Sequence, residues 1–322
     1  MNNMEFMEKV RMENEAYLPE LTRRSDFEAF WDTTRAIAKA NPLCPISQEI
    51  ASPFPGIKLF DVTYHGFDST PIHGWMMIPR VLEGERIPCL IHYHGFTGSR
   101  GLPFDFAPWL LKGMAVLSVD CREQGGDTGN LAPYSHGHFS NVACKGILDK
   151  EEFYYRAVYM DCLKALDFAL QFQEIDPERL VIEGASQGGA LGMAVSALDP
   201  RPAAVMVDVP SNSNLEARVE GAHGAYASVT EYLKRFPDRL ELAYETLSYF
   251  DTMNMAEWIR CPVLASVALK DTTCPAKLYY ATYNRITAPK EIDVYPFNGH
   301  EGGALQMGRK FDFIVRRGIV PV

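Results

Sequence analysis

Six short apolar runs are spaced along the chain, and stretches with a helical pattern, such as residues 153–173, separate them. A brief apolar run bounded by turn residues is typical of a strand that is buried on both faces. Strands that alternate with helices in this way favour a mostly parallel, twisted sheet covered by helices on both faces. The predicted parallel strands are residues 89–94, 115–120, 180–183, 203–209, 262–269 and 291–296.

The segment before these strands has a different pattern. Residues 57–66 and 71–79 alternate between apolar and polar positions, and the short link between them predicts a hairpin that begins the sheet in antiparallel fashion. Residues 1–50 are charged and predict a helical extension, in which Phe27, Phe30 and Trp31 share one face. We expect those three aromatic side chains to dock on the main body.

Two later segments interrupt the alternation of strands and helices. Residues 125–149 have little periodicity and predict a long insertion loop. Residues 212–254 predict a helical excursion that lies above the carboxyl edge of the sheet as a cap, where it would shape a substrate pocket. We predict one domain over residues 1–322 that carries these additions.

Composition limits the classes of function. The 322 residues are 47% hydrophobic and carry a formal net charge of −10, which argues against nucleic acid and anionic membrane surfaces as partners. The first residues lack the apolar run of a signal peptide or membrane span. Seven cysteines without a C-x-x-C pair indicate reduced thiols, so we expect a cytoplasmic protein.

The chemistry is concentrated at Gly184-Ala185-Ser186-Gln187-Gly188, between a predicted strand and the apolar, alanine-rich residues 190–198. This Gly-x-Ser-x-Gly pattern is that of a nucleophile elbow, in which a sharp turn exposes the serine hydroxyl. Gly184 and Gly188 fit because such a turn leaves no room for side chains two positions either side of the serine. The alternative is an ordinary strand-to-helix turn that contains glycine.

An activated serine needs a general base and an acid that orients it, and in proteins with this elbow the chain order is serine, acid, histidine. His223 and His300 are the histidines that follow Ser186; His300 is favoured because it comes just after the last predicted strand. Asp271 follows another strand directly and is favoured as the acid, although it could instead cap a helix. Asp208 and Asp251 are the competing acids, and we interpret Glu301 as structural.

The oxyanion formed in such chemistry needs two N–H donors. We predict the N–H groups of Gln187 and of Phe96, which lies in the glycine-rich residues 94–101. No Gly-Lys-Ser/Thr follows this loop, so a phosphate cradle is disfavoured. His92 and His94 could share a strand face as metal ligands, but no third ligand has a recognisable spacing, so hydrogen-bonded histidines are favoured and no metal or cofactor is expected.

Beyond these motifs, the chain resembles the acetyl xylan esterase / cephalosporin C deacetylase family, carbohydrate esterase family seven, nearly from end to end. The matching segments are residues 26–31, 94–101, 145–156, 184–189, 247–251 and 300–303. The resemblance implies an α/β-hydrolase fold, a Ser186–Asp271–His300 triad and an oxyanion hole at Phe96 and Gln187. It also implies a supporting role for Arg122 and Gln124, which match the first and last residues of the family's Arg-Gly-Gln signature.

Three positions depart from the family pattern. Glu123 replaces the glycine of the signature, and a glutamate there costs roughly 1 kcal/mol or more if the backbone φ is positive. Phe96 stands where the family usually has tyrosine, so the N–H remains but a hydroxyl is lost. Ala225 stands where the family has proline before Tyr226, so the pocket wall is expected to differ.

The resemblance implies a serine carboxylesterase that removes acetyl groups from short acetylated xylo-oligosaccharides and from cephalosporin C, with a small acyl pocket. It further implies a hexamer, a trimer of dimers whose active sites face an interior space. The alternatives are a broad-specificity carboxylesterase or a prolyl-peptidase-like hydrolase of the same fold. A non-catalytic binding protein, or an enzyme inactivated by Glu123, is a third class.

Overall fold

The computed structural model describes residues 3–80, 85–136 and 141–321. They form one sheet of nine strands in the order β1-β2-β3-β5-β4-β6-β7-β8-β9. The strands are β1 Ile46–Ile50, β2 Ile57–His65, β3 Pro71–Pro79, β4 Ile87–Tyr93, β5 Ala115–Val119, β6 Ile175–Ala185, β7 Ala204–Asp208, β8 Val263–Ala268 and β9 Lys290–Tyr295. The first three strands are antiparallel and β4 to β9 run parallel, which confirms the predicted sheet.

Helices cover both faces of the sheet. The α-helices are α1 Asn3–Glu15, α2 Phe27–Ala40, α3 Ala107–Leu111, α4 Tyr154–Ala169, α5 Gln187–Leu198, α6 Leu215–Glu220, α7 Ala227–Arg235, α8 Leu240–Phe250, α9 Thr252–Met255, α10 Ala276–Tyr283 and α11 Gln306–Arg316. In the described part of the chain, none of them is both long enough and apolar enough to cross a bilayer.

The apolar runs of β4 to β8 are nearly continuous because these strands are largely buried on both faces, whereas the edge strand β9 is only partly buried. Along β4, Cys89 and Ile91 belong to the larger core beneath α4 and α5, whereas Leu90 belongs to the smaller core. That second core lies beneath α3 and α11, which supply Trp109 and Phe313 among other residues. Because both faces of such a strand contact an apolar core, the sequence pattern alone does not show which core a given residue contacts.

The N-terminal extension docks as its aromatic spacing predicts. Phe27, Phe30 and Trp31 are buried, and the indole N–H of Trp31 donates to the carbonyl oxygen of Tyr249 over 3.1 Å. The extension is not wholly helical, however, because β1 forms at the sheet edge. Its residues Ile46–Ile50 are mostly exposed, and Gln48 interrupts the face that Ile46 and Ile50 share, so the sequence gives little indication of a strand there.

Strand β6 is longer than predicted. It begins at Ile175, which pairs with Ile87 of β4, and the register shifts before Cys89 pairs with Leu180. Arg179 is held by Asp176 at 2.7 Å and donates to the carbonyl oxygen of Arg86. Residues 176–179 thus have a structural role at the start of the strand that carries the elbow.

The two predicted excursions flank the carboxyl edge of the sheet. Helices α6 to α9 lie between β7 and β8, in the region predicted as a helical cap. Within the predicted insertion 125–149, residues 137–140 lie outside the described residues, and the remainder is largely loop with one 3-10 turn at Val142–Cys144.

Candidate active site

Ser186 occupies the sharp turn between β6 and α5. Its backbone φ of 56° and ψ of −118° lie in a region that non-glycine residues rarely adopt. Neighbouring strands and loops fix this conformation, since the Ser186 N–H donates to the carbonyl oxygen of Asp208 at 2.8 Å and its carbonyl oxygen accepts from the N–H of Ser211 at 3.0 Å. The serine is therefore held at the carboxyl edge of the sheet by contacts independent of its hydroxyl.

The two glycines of the elbow are required by close backbone packing. A Cβ on Gly188 would lie 1.9 Å from the carbonyl oxygen of Tyr93, and a Cβ on Gly184 would lie 2.5 Å from the carbonyl carbon of Gly188. Both contacts involve backbone atoms, which cannot rotate away as a side chain can. Glycine at these positions lets α5 begin directly against β4 and β6.

Ser186, His300 and Asp271 lie together at this edge. The Ser186 Oγ is 3.0 Å from His300 Nε2, and His300 Nδ1 is 2.7 Å from Asp271 Oδ2. The side chain of Asp271 is 0% exposed and that of His300 is 35% exposed. Because a carboxylate can only accept, Nδ1 carries the proton and Nε2 is left to accept from the serine hydroxyl, as a general base requires.

Asp271 is fixed by its own loop after β8. Its Oδ1 accepts from the N–H groups of Thr273 and Cys274, each over 2.8 Å, so Oδ2 alone faces His300. Asp271 thus contacts both the turn before α10 and the histidine. The neighbour Glu301 accepts from the N–H of Gly299 at 2.9 Å, a contact within the histidine loop.

The competing candidates have other partners. His223 is partly exposed and contacts the carbonyl oxygen of Thr272 at 3.0 Å. Asp251 accepts from the N–H groups of Asn214, Leu215 and Met253 within the cap. Asp208 accepts from the Ser266 hydroxyl and pairs with Lys310. Among the described residues, the geometry brings only Asp271 to His300 Nδ1.

Phe96 and Gln187 both line a cavity of about 540 Å³ that Ser186 and His300 also line. Gln187 is the first residue of α5, so its N–H has no acceptor within the helix. The N–H of Phe96 belongs to the same peptide unit as the carbonyl of Gly95. His94 holds that carbonyl through Nδ1 at 2.7 Å, while its Nε2 accepts from the N–H of Cys121 at 2.8 Å. His94 thus orients the peptide that carries the predicted donor.

Gln124 joins the two segments that carry the predicted oxyanion donors. Its Oε1 accepts from the N–H of Thr97 at 2.9 Å and from Gln187 Nε2 at 3.1 Å, and its Nε2 donates to Gln187 Oε1 at 3.0 Å. Arg122 anchors the same segment, because its wholly buried guanidinium binds Asp161 at 2.7 Å and Asp68 at 2.9 Å. These contacts give the two signature residues a positioning role.

Cys274 is a neighbour of the serine that sequence reasoning missed. Its Sγ lies 3.9 Å from Ser186 Oγ, and burial raises the pKa of the thiol, so the neutral form is favoured. Asp271, Cys274 and His300 are close enough to share a metal ion. Both nitrogens of His300 and both oxygens of Asp271 already have hydrogen-bond partners, however, so the arrangement of these two side chains matches a serine triad.

Glu123 has the positive φ that its departure from the signature suggests, at 55°. Its carboxylate forms an ion pair with Lys145 and accepts from Asn130 Nδ2 at 2.8 Å, and the Oδ1 of the same Asn130 accepts from Arg122 Nη1 at 3.2 Å. The positive φ places strain on the backbone of Glu123, but the side chain of Gln124 still donates to Gln187 Oε1.

We therefore expect Glu123→Gly to leave kcat/KM on an acetyl ester within about threefold of the starting value, as is usual when an exposed side chain is replaced. Relief of left-handed strain and loss of the Lys145 ion pair act in opposite directions on the free energy of unfolding. Steady-state kinetics tests this, with Glu123→Gln as the control that removes the charge and keeps the strain. A gain of more than about tenfold in Glu123→Gly alone would show that this residue inactivates the site.

Comparison with known proteins places these observations in a family. The model of the family described as acetyl xylan esterase (AXE1) matches residues 4–317. A curated acetyl esterase, Axe7A of Xylanibacter ruminicola, is 32% identical over 168 residues, which cover 52% of this chain and 36% of that protein. The chain thus spans only about a third of the length of this curated relative.

Two solved structures match over nearly the whole chain. An acetyl xylan esterase from a Paenibacillus species is 38% identical with a TM-score of 0.91, and the match covers 95% of this chain and 98% of that one. Acetyl xylan esterase 1 from a Thermoanaerobacterium species is 25% identical with a TM-score of 0.90 and the same coverage.

Proposed function

The chain belongs to the acetyl xylan esterase family, and from this membership and the Ser186–His300–Asp271 contacts we propose a serine carboxylesterase that deacetylates small O-acetylated substrates. The observation that carries the proposal is the pair of distances that joins the elbow hydroxyl to a carboxylate through one imidazole, 3.0 Å and 2.7 Å. Acetylated xylo-oligosaccharides and cephalosporin C are the proposed substrates.

The first half-reaction follows from this geometry. His300 Nε2 takes the proton of Ser186 as Oγ attacks the ester carbonyl carbon, and Asp271 stabilises the imidazolium from the other side. The N–H groups of Phe96 and Gln187 bind the oxyanion of the tetrahedral intermediate. When the intermediate collapses, His300 gives the proton to the departing alcohol oxygen, and the acetyl group stays on Ser186.

Water completes the cycle. His300 takes a proton from a water molecule that attacks the acetyl-serine carbonyl, and the same two N–H groups bind the second oxyanion. Collapse then releases acetic acid and returns the proton to Ser186 Oγ. Over the whole cycle His300 gives back each proton that it takes, and water supplies the hydrogen and the hydroxyl group that the alcohol and acetic acid gain.

The acyl chain length tests the small acyl pocket. Gln187, Tyr155 and Cys274 line the cavity beside Ser186, and Tyr155 donates to Gln187 Oε1 at 3.0 Å, which holds that wall in place. We expect kcat/KM to be about tenfold or more lower for 4-nitrophenyl butyrate than for the acetate, because added methylenes must displace buried groups. The common leaving group controls for intrinsic reactivity. A preference for butyrate or longer esters would contradict the pocket, and release of acetate from acetylated xylobiose tests the substrate class.

We also propose the family's hexameric assembly and a cytoplasmic location. All seven cysteines, each within the described residues, are free thiols, which suits a reducing compartment. Light scattering should give six times the chain mass, and a monomer would contradict the assembly. Cell fractionation that recovers the protein outside the cytoplasm would contradict the location.

A further inference from the structure

The cap contributes two polar side chains to the wall of the active-site cavity. Arg218 of α6 and Tyr226, just before α7, line the same cavity as Ser186 and His300. Both are deeply buried, at 1% and 2% relative exposure. The cavity wall thus contains a guanidinium and a phenol in addition to apolar groups.

Both side chains have a donor without a partner. Within the described part of the chain, the buried polar side-chain atoms that lack a hydrogen-bond partner are Arg218 Nε, Tyr226 Oη, Ser196 Oγ and Gln306 Nε2. Two of these four atoms therefore belong to residues in the wall of one cavity, the one that contains the proposed nucleophile. A buried donor without an acceptor destabilises the folded protein, so the occurrence of two of them at one place calls for an explanation.

Arg218 also has no ion-pair partner among the residues that the structure describes. Its Nη1 donates to the carbonyl oxygen of Thr273 at 3.0 Å, and its guanidinium carbon is 6.0 Å from the centre of the Tyr226 ring. No carboxylate of residues 3–80, 85–136 or 141–321 forms an ion pair with it. By contrast, the buried Arg122 is matched by two aspartates and the buried Lys310 by a glutamate and an aspartate.

A guanidinium that is buried, unpaired and in a cavity wall is a carboxylate-binding group, since its planar donors match the two oxygens of a carboxylate. We propose that Arg218, assisted by the Tyr226 hydroxyl, binds a carboxylate on the substrate. This inference rests on the proposed deacetylase function. Because an acetyl group has no carboxylate, the carboxylate that Arg218 binds must belong to the alcohol part of the ester. Arg218 is tied to Thr273, the residue before Cys274, which places the binding group close to the reacting centre.

Cephalosporin C has this chemistry, because a ring carboxylate is attached next to the carbon that bears its acetoxymethyl group. Its ring-carboxylate methyl ester is a matched substrate in which that charge is absent and the acetyl ester is unchanged. An acetylated xylobiose provides an uncharged substrate of the other proposed class. The test measures kcat and KM for acetate release from all three.

Arg218→Met should raise KM for cephalosporin C by about tenfold or more, because it removes a charged hydrogen bond to the carboxylate. KM for the methyl ester should change by less than about threefold. Arg218→Lys should retain part of the preference for cephalosporin C over its methyl ester. Tyr226→Phe should give a smaller rise in KM for cephalosporin C and an unchanged or higher Tm, because it removes a hydroxyl that has no partner in the free protein. Arg239→Met is the matched control, since it removes a cap cation that stacks on Phe236 at 4.3 Å outside the cavity.

An equal loss on all three substrates in Arg218→Met would overturn the inference, because it would assign Arg218 to support of the Thr273 loop. Equal kinetics of wild type and Arg218→Met would overturn it as well. If wild type released acetate from none of the esters, the proposed function would fail separately. Ligand binding then decides: cephalosporin C should raise the Tm of Ser186→Ala, and an added Arg218→Met should abolish that rise. No rise in Ser186→Ala would overturn the subsite.

Discussion

Ser186→Ala is expected to lower kcat for acetate release by roughly a millionfold, the effect of removing the nucleophile from a serine–histidine–aspartate relay. The hydroxyl is the atom that His300 Nε2 contacts at 3.0 Å, and no other oxygen nucleophile of the chain occupies that position in the structure's described residues. The turn itself depends on backbone bonds to Asp208 and Ser211, which alanine retains. The Tm should therefore change by only a few degrees.

Cys274 offers the matched control for this experiment. Its sulfur lies 3.9 Å from the Ser186 oxygen and is a stronger nucleophile once ionised, but burial raises the pKa of the thiol. Cys274→Ser should therefore retain most of the activity and remain labelled by a fluorophosphonate probe, whereas Ser186→Ala should lose both. Residual turnover in Ser186→Ala that disappears in the double variant would transfer the nucleophile role to the cysteine.

The sequence predicts the bounds of the parallel strands to within two residues, apart from those of β6, because their apolar runs are bounded by turn residues. It also predicts which residues converge on Ser186, although His300 is 114 positions away. The reason is geometric, since side chains that directly follow parallel strands meet at one edge of the sheet. Asp271 and His300 both occupy such positions after β8 and β9.

Other features could not be read from the sequence, for identifiable reasons. Strand β1 has polar residues on both faces because it lies at the exposed sheet edge, so it lacks the alternation that marks a strand. Arg218 lies in a short helix of the cap, and only the tertiary structure shows that its guanidinium is buried beside the cavity without a carboxylate. Cys274 and Lys310 have no motif, so only their neighbours in space indicate their importance.

Lys310 shows most clearly how much such a hidden residue can matter. It lies on α11 with a side chain only 5% exposed, and its Nζ pairs with Glu183 Oε1 at 2.6 Å and with Asp208. These two acids lie on β6 and β7, and His92 of β4 contacts the other Glu183 oxygen at 2.6 Å. One ammonium group therefore joins α11 to two central strands and is the shared counter-ion of the buried Glu183 and the largely buried Asp208.

We expect Lys310→Met to lower the free energy of unfolding by about 3–5 kcal/mol at pH 8, because it leaves those carboxylates buried without their cation. Arg316→Met on the same helix is the control; its side chain is 47% exposed and pairs with Glu291, so the loss should be below about 1 kcal/mol. Urea unfolding at equilibrium measures both.

The loss in Lys310→Met should depend on pH. Burial alone would raise the pKa of Glu183, but Lys310 and then His92 outweigh it and hold that pKa well below its ordinary value. A carboxyl whose pKa is lowered by folding stabilises the protein above its unfolded pKa, and that contribution fades as pH falls through the folded pKa. Without Lys310, burial raises the pKa of Glu183 instead, so the folded variant takes up a proton on mild acidification and part of its deficit disappears. The deficit should thus be smaller at pH 5 than at pH 8, and Glu183→Gln added to Lys310→Met should recover part of it at pH 8. An equal deficit at both pH values, with no recovery in the double variant, would mean that Lys310 stabilises α11 by the packing of its alkyl chain and not by its charge.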